Sequence, residues 1–321
     1  MKIPIQKIKK LLVDIVIANN IPKKDALIIA NEYLEGELQG KHSHGLMAFP
    51  SIVKKLSFKN KKPVIKKKTS SYLFIDAKHN FGTVVGMKAT QRAMGMAKKQ
   101  GIAVVSICNM LSWLRPATIA QYIASQNMVG LVVNSGGRPM MTPPGGYTPQ
   151  VGTNPIGIGI PVEGNDIIVD MATSKRAWGE VRKATANNSS LPKNTYFDNN
   201  GNFAKDPSKA RSVIAAGDYK GFALGLFIEI LSGSLVGMPM GNDCLKGNYR
   251  TTPRGAMILI VNPKFSTNLK KFKQQNQKLV KQIKKSKKRK GVKSVFVPGE
   301  RAMKNRGKNI KNKYLEINKE L

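Results

Sequence analysis

"VVGMKATQRAMGMAKKQGIAVVSI", residues 84–107, changes character at Gly101. The part before that glycine mixes Ala, Met, Lys and Gln without a proline, which is a helix-forming composition. The part after it is dominated by Ile and Val and reads as a strand. Working outward, "SYLFIDA" (71–77), "MVGLVVNS" (128–135), "IGIGIP" (156–161), "DIIVDMA" (166–172) and "RGAMILIVNP" (254–263) are further short apolar runs. Gly, Asn, Asp or Pro bound them, as expected of strands. "TIAQYIASQ" (118–126) supplies another helix between them. Such alternation predicts a central α/β sheet domain over residues 71–262.

The flanks read differently. Residues 4–38 form two helices, the first with Ile5, Ile8, Leu11, Leu12, Ile15 and Val16 on one face, the second with Pro22 at its first turn. "KKLSFKNKKPVIKKKTS" (54–70) reads as an exposed loop or edge. "YKGFALGLFIEILSGSLVG" (219–237) is nearly all apolar and is expected as a buried core helix rather than a membrane span. Beyond residue 263, Phe265, Leu269, Phe272, Leu279, Val280 and Ile283 recur at helical spacing, with lysines on the other face. The expected organisation is a helical domain made by the N-terminal segment (1–70) and the C-terminal segment (263–321), around the α/β domain.

The charge is extreme: 54 Lys and Arg against 18 Asp and Glu, net +36 over 321 residues. A field of this size attracts anions of every kind, small molecules and polymers alike. "KKSKKRKGVK" (284–293) invites a nucleic-acid reading, but the basic residues are mostly lysines spread over loops and helix faces, without interleaved aromatics. A solvated surface, with no specific nucleic acid and no membrane partner, is the expectation. Cys108 and Cys244 form no C-x-x-C pair, and the basic, apolar N-terminus has no small-residue cleavage site. A reduced, cytoplasmic setting is expected.

Several signatures are missing. There is no G-x-G-x-x-G after a strand, no G-x-x-x-x-G-K-[ST], no G-x-S-x-G and no H-E-x-x-H. With three histidines, two distant cysteines and no carboxylate cluster beside them, no metal site is expected. "GKHSHGLMAF" (40–49) carries two of the three histidines. Either His42 and His44 coat a surface turn, or one of them moves a proton, since imidazole titrates near neutrality. Two other segments add weight to the second reading. The Gly-, Pro- and Asn-Pro-rich run "TPPGGYTPQVGTNPIGIGIP" (142–161) offers backbone N–H groups and close approach to a flat ligand. "DMATSKRAWGEV" (170–181) places Thr and Ser directly after a strand, which suits phosphate or ribose contacts.

These segments also carry a resemblance. "HSHGLMAFP", "PPGGYTPQVGTNPIGIGIP", "VDMATSKRAWGEVRKA", "DNNGNFAKDP", "GDYKGFALGLFIEILSGSLVG", "RGAMILIVNP" and "VPGER" follow one another as in the malate/L-lactate dehydrogenase family, from about residue 5 to 310. The resemblance implies a non-Rossmann nucleotide-binding α/β domain with a mixed sheet, NAD or NADP as cofactor, 2-oxo or 2-hydroxy acids (or cyclic imines) as substrates, and a homodimer. It makes His44 the proton donor, supported by Ser43 and Glu180, and puts Thr153 near the substrate. Asp170, Met171, Ala172, Thr173, Ser174, Tyr219, Lys220, Gly299, Glu300 and Arg301 fall on nucleotide-binding positions, as does the segment Ser112, Trp113, Leu114, Arg115 and Pro116.

Two departures stand out. Many members carry Arg where this chain has Ala48, and a second catalytic His where it has Ser112 or Trp113. Three outcomes follow. His44 acts alone; Arg115 or Arg138 replaces the lost carboxylate fork; or the site has changed substrate or fallen silent.

Overall fold

The computed structural model describes residues 1–56, 62–113, 115–135, 137–246 and 252–317. Its centre is a seven-stranded sheet built from β2 (Val64–Lys68), β3 (Tyr72–Asp76), β4 (Ile102–Met110), β5 (Val129–Asn134), β6 (Ile156–Ile160), β7 (Ile167–Met171) and β10 (Arg254–Val261). The strand order is β2-β3-β4-β10-β5-β6-β7. Only β3 and β4 run parallel, joined by the helix α4 (Gly82–Gln100); the other neighbours are antiparallel. A sheet wound this way has no repeated βαβ unit, which is why no dinucleotide fingerprint follows its first strand.

β10 enters the middle of the sheet from far along the sequence, between β4 and β5. With β4 and β5 it brings Val105, Ile107, Val132, Ile258 and Ile260 to one face, against α4 and α5 (Pro116–Ser125). Each such fully buried side chain contributes about 1.5–3 kcal/mol relative to exposure. α5 lies so close to β6 that a Cβ at Gly157 would sit 2.6 Å from Pro116 and Ala117 backbone atoms. The glycines of "IGIGI" are therefore packing residues. At the edge, β2 exposes all five residues, three of them lysines, which discourages pairing with another sheet.

A second layer comes from the two ends of the chain. β1 (Lys2–Pro4) pairs antiparallel with β11 (Tyr314–Glu316). α1 (Ile5–Ala18), α2 (Lys23–Leu38) and α3 (Phe49–Leu56) share a core that takes in Leu315 and reaches Phe81 and Val84 of the α4 region. α6 (Gly179–Ala186), the short pair β8 (Tyr196–Phe197) and β9 (Ser212–Val213), and the loops between them form a smaller lobe around Tyr196, Met141 and Val213.

α7 (Tyr219–Ser232) departs from the sequence-based expectation. One face covers the sheet through Ile228, Leu224 and Leu231. The other is open: Phe227 is 56% and Ile230 45% exposed. Composition could not divide the helix into faces, because it is apolar all round. The helix is thus half-buried rather than buried. α8 (Leu269–Lys284) also departs, since it meets the sheet side at Asn127 and Pro161 instead of returning to the helical layer. α9 (Glu300–Asn312) does return, through two hydrogen bonds from Arg306 to Glu35.

Candidate active site

The site begins at the C-terminal end of α2, where acidic residues accumulate. Three of the chain's 18 carboxylates, Glu32, Glu35 and Glu37, lie within six positions, and each holds a different piece of structure. Glu32 accepts the Arg115 backbone N–H at 3.2 Å. Glu35 holds Arg306 of α9 at 2.7 and 2.9 Å. Glu37 is the clamp of the histidine loop: Oε1 lies 2.5 Å from His42 Nδ1, and Oε2 accepts the Leu46 N–H at 3.0 Å. Glycines let the loop fold back on the helix. A Cβ on Gly36 would meet the His44 carbonyl at 2.6 Å.

His42 and His44 face different surroundings. His42 is exposed at its ring and titrates above the usual imidazole range, chiefly because of the Glu37 hydrogen bond, against the effect of burial and Lys183. His44 is half-buried, and its Nδ1 lies 2.9 Å from Ser43 Oγ. Burial drives it down to about 4; Asp170 pulls it up, while Arg115, Arg182 and Lys41 push it further down. Ser43 in turn is seated on the start of α6, where only Gly179 leaves it room: a Cβ there would lie 2.7 Å from the serine Cβ.

Asp170, at the end of β7, is the acid that acts on His44. Burial would raise its carboxyl, but Arg115 and Lys41 hold it below the ordinary range. Arg115 is 4% exposed and bonds Asp170 Oδ2 through Nε (3.3 Å) and Nη2 (3.0 Å). Its Nη2 also donates to Gln39 Oε1 at 2.6 Å. The remaining arm, Nη1, is buried with no hydrogen-bond partner among the described residues. A buried ionised donor left unpaired is costly, and here it belongs to a group whose field reaches His44.

The structure joins Ser43 to His44 as the sequence reading expects, but it does not bring Glu180 to them. Glu180 bonds Arg176, one turn back, at 3.4 Å. The i, i+4 spacing across the start of α6 favours that pairing. Arg138 is exposed and is not among the charges acting on His44. Ala48 is buried in the helical core. Trp113, 3% exposed, is a core residue pressed against Gly82 and Gly86 rather than a platform for a cofactor ring. Ser112 gives its carbonyl to the Gly82 N–H, and Pro116 opens α5. Leu114 lies outside the described residues.

The positions expected to bind the nucleotide lie along β7 and just beyond its end. Met171 is exposed, Ala172 half-buried, and Thr173 and Ser174 buried. Thr173 bonds the Thr153 carbonyl through its N–H and its hydroxyl, and its own carbonyl accepts the Ala216 N–H. This ties the strand end to the start of α7, where Tyr219 and Lys220 are exposed, the ammonium 5.9 Å from the ring centroid. On the neighbouring side Gly299 leaves 3.0 Å to Ile168 for a Cβ, so Gly299 lies against β7. Glu300 bonds Lys284, and Arg301 stands over Phe296. Glu229 of α7, buried, accepts from Gly152, Asn154 and Gly241 and so fixes the loop that carries Thr153. Sequence reasoning missed Glu37, Gln39 and Glu229. The crowding of acids on α2 in so basic a chain was the available signal for Glu37.

Comparison with known proteins shows the family of the chain. The family model described as malate/L-lactate dehydrogenase matches residues 3–321. An L-sulfolactate dehydrogenase of Methanocaldococcus jannaschii is 31% identical over 98% of this chain and 95% of its own. A malate/(S)-sulfolactate dehydrogenase of Methanothermus fervidus is 30% identical over 98% and 93%. The solved structure of the Methanocaldococcus jannaschii sulfolactate dehydrogenase superposes with a TM-score of 0.89 at 29% identity, covering 100% of this chain and 94% of that one. With a match from one end of the chain to the other and the same fold beneath it, the chain belongs to the malate/L-lactate dehydrogenase family and is an NAD(P)-using oxidoreductase of that family.

Proposed function

We propose that this protein interconverts a 2-oxo acid and its 2-hydroxy acid, with His44 as the acid–base group. The observation that carries the reading is the half-buried imidazole, bonded at one nitrogen to Ser43 and lying in the field of the Asp170–Arg115 ion pair. The bond at Nδ1 fixes the ring and leaves Nε2 to hold or move the proton at the substrate oxygen. Asp170 favours the charged imidazolium, so we give it the supporting role that the sequence reading gave to Glu180. Arg115 receives the substrate carboxylate in place of the arginine absent at position 48.

The residues suit a nicotinamide nucleotide. Exposed Tyr219 and Lys220 stand beside the buried Thr173–Ser174 turn, and Gly221 and Gly225 bring α7 against Thr173 with no room for a Cβ. Lys220 offers a cation for a phosphate, with the 299–301 segment on the other flank of β7. When bound, the cofactor supplies or accepts the hydride.

Arg115, Arg182 and Lys41 all act on His44, and such a crowd of cations favours a 2-oxo acid with a second anionic group. The relatives named for malate and sulfolactate fit that preference. We also propose a homodimer, with the exposed apolar face of α7 against a second copy, and a cytoplasmic setting. The test is NADH and NADPH oxidation over a panel of mono- and dianionic 2-oxo acids. His44→Ala is expected to lose turnover and keep nucleotide binding. Unchanged turnover in that variant rejects the assignment, and nucleotide binding without turnover in the wild type marks a silent member.

A further inference from the structure

We infer that Gln39 is a positioning residue for the substrate: it turns Arg115 so that a single arm of the guanidinium, Nη1, meets the carboxylate. This rests on the dehydrogenase reading above. An arginine has five N–H donors in a rigid plane. Asp170 Oδ2 takes the Nε donor and one at Nη2, and Gln39 Oε1 takes the other at Nη2, at 2.6 Å. Two donors remain, both on Nη1, the buried atom without a partner. The anchor that replaces the arginine missing at position 48 is therefore end-on, not the two-armed fork its residue type suggests.

Gln39 can serve in this way because its amide has one permitted orientation. Its nitrogen lies 3.3 Å from Glu35 Oε2 and 3.4 Å from Gln121 Oε1, both acceptors. The oxygen is thus the atom left to face Arg115. Glu35 is itself held by Arg306 of α9, and Gln39 is 6% exposed. The plane of Arg115 is fixed from two sides, by an acid on β7 and an amide following α2. Removing the amide frees a second donor at Nη2 and allows the plane to turn about its bond to Asp170. The carboxylate is then met by a moving cation in place of a fixed one.

The experiment is calorimetric titration of the full-length, NADH-loaded protein with oxamate, a 2-oxo acid isostere that is not reduced. Gln39→Met keeps the volume and removes the acceptor; Gln39→Glu, made together with Glu35→Gln so that its second oxygen meets an amide donor and not a carboxylate, keeps an oxygen toward Nη2. We expect Gln39→Met to weaken oxamate about tenfold, the worth of one charge-assisted hydrogen bond, and to raise KM more than it lowers kcat. NADH affinity stays as in the wild type, and the double variant recovers most of the loss. Oxamate affinity unchanged in Gln39→Met, or equally weak in the double variant, overturns the assignment. Should Gln39→Met not fold, Gln39→Asn, which draws the amide oxygen back from Nη2, makes the same comparison. An enzyme that turns over 2-oxo acids while Gln39→Met binds oxamate normally keeps the dehydrogenase reading and loses this one. A wild type that binds oxamate in a Gln39-dependent way without turning over any 2-oxo acid does the reverse.

Discussion

His42 and His44 stand two residues apart in opposite fields. His42 is exposed, and a buried carboxylate grips it; burial and three cations press on His44, with one acid opposing them. Under the proposed function the same side chain is a fastener in the first place and a proton carrier in the second. What separates them is the chain around them: Glu37 lies five residues before His42, whereas Asp170 and Arg115 reach His44 from β7 and from the segment before α5. The difference shows that an imidazole's titration follows the charges around it, which come chiefly from nearby in the chain for His42 and from distant segments for His44.

Breaking each half of that comparison gives different outcomes. The largest effect is expected at His44: His44→Ala should lower turnover by about 10²–10⁴-fold, the usual contribution of a general acid–base group, measured as NADH oxidation. Glu37→Gln should act on the fastener instead. It should cost about 1–3 kcal/mol in stability, since it disturbs a buried acceptor with two partners, and urea denaturation would show it. A stability unchanged by Glu37→Gln would mean that the loop is held by packing alone.

The pH dependence separates the two rings further. His44 is neutral down to about pH 4 in the folded chain, while an unfolded chain takes that proton near pH 6.5. The unfolded state therefore binds more protons across that window, and stability falls as pH drops from about 6.5 to 4. His42 works in the other direction. Its raised folded value adds stability below about pH 6.5, lost as pH rises through the folded titration. Histidine resonances followed by NMR should show one ring titrating above the ordinary value and one far below it, with His44→Asn removing the lower one.

The smallest effect is expected at Glu180. With its bond to Arg176 at the surface, Glu180→Gln should change turnover by no more than about threefold, in keeping with a weak exposed ion pair. Asp170→Asn should cost far more, because it leaves Arg115 buried without its acid. Steady-state kinetics on the pair would show this, and the opposite ranking would return the supporting role to Glu180.

The legible parts of this molecule are those with local causes. Residues 84–107 announce a helix and a strand through their own composition, and α4 and β4 form there. The Ser43–His44 bond joins adjacent residues and could be anticipated from "HSHG". α7 was half legible: its apolar length predicts a helix, yet which face meets the sheet depends on β5 and β10 arriving beneath it. Gln39 and Asp170 were not legible as partners of Arg115, for they stand 76 and 55 residues from it.

By itself, then, the sequence determined the main helices and strands of the sheet domain and the α/β class, because periodicity, turn residues and short-range bonds act within a few positions of the chain. The tertiary structure alone decided which acid acts on His44, which arm of Arg115 is left without a partner among the described residues, and that Trp113 serves the core. Those outcomes depend on Coulomb forces and on packing between distant segments. Both act over a few ångströms of space, whatever the separation along the chain.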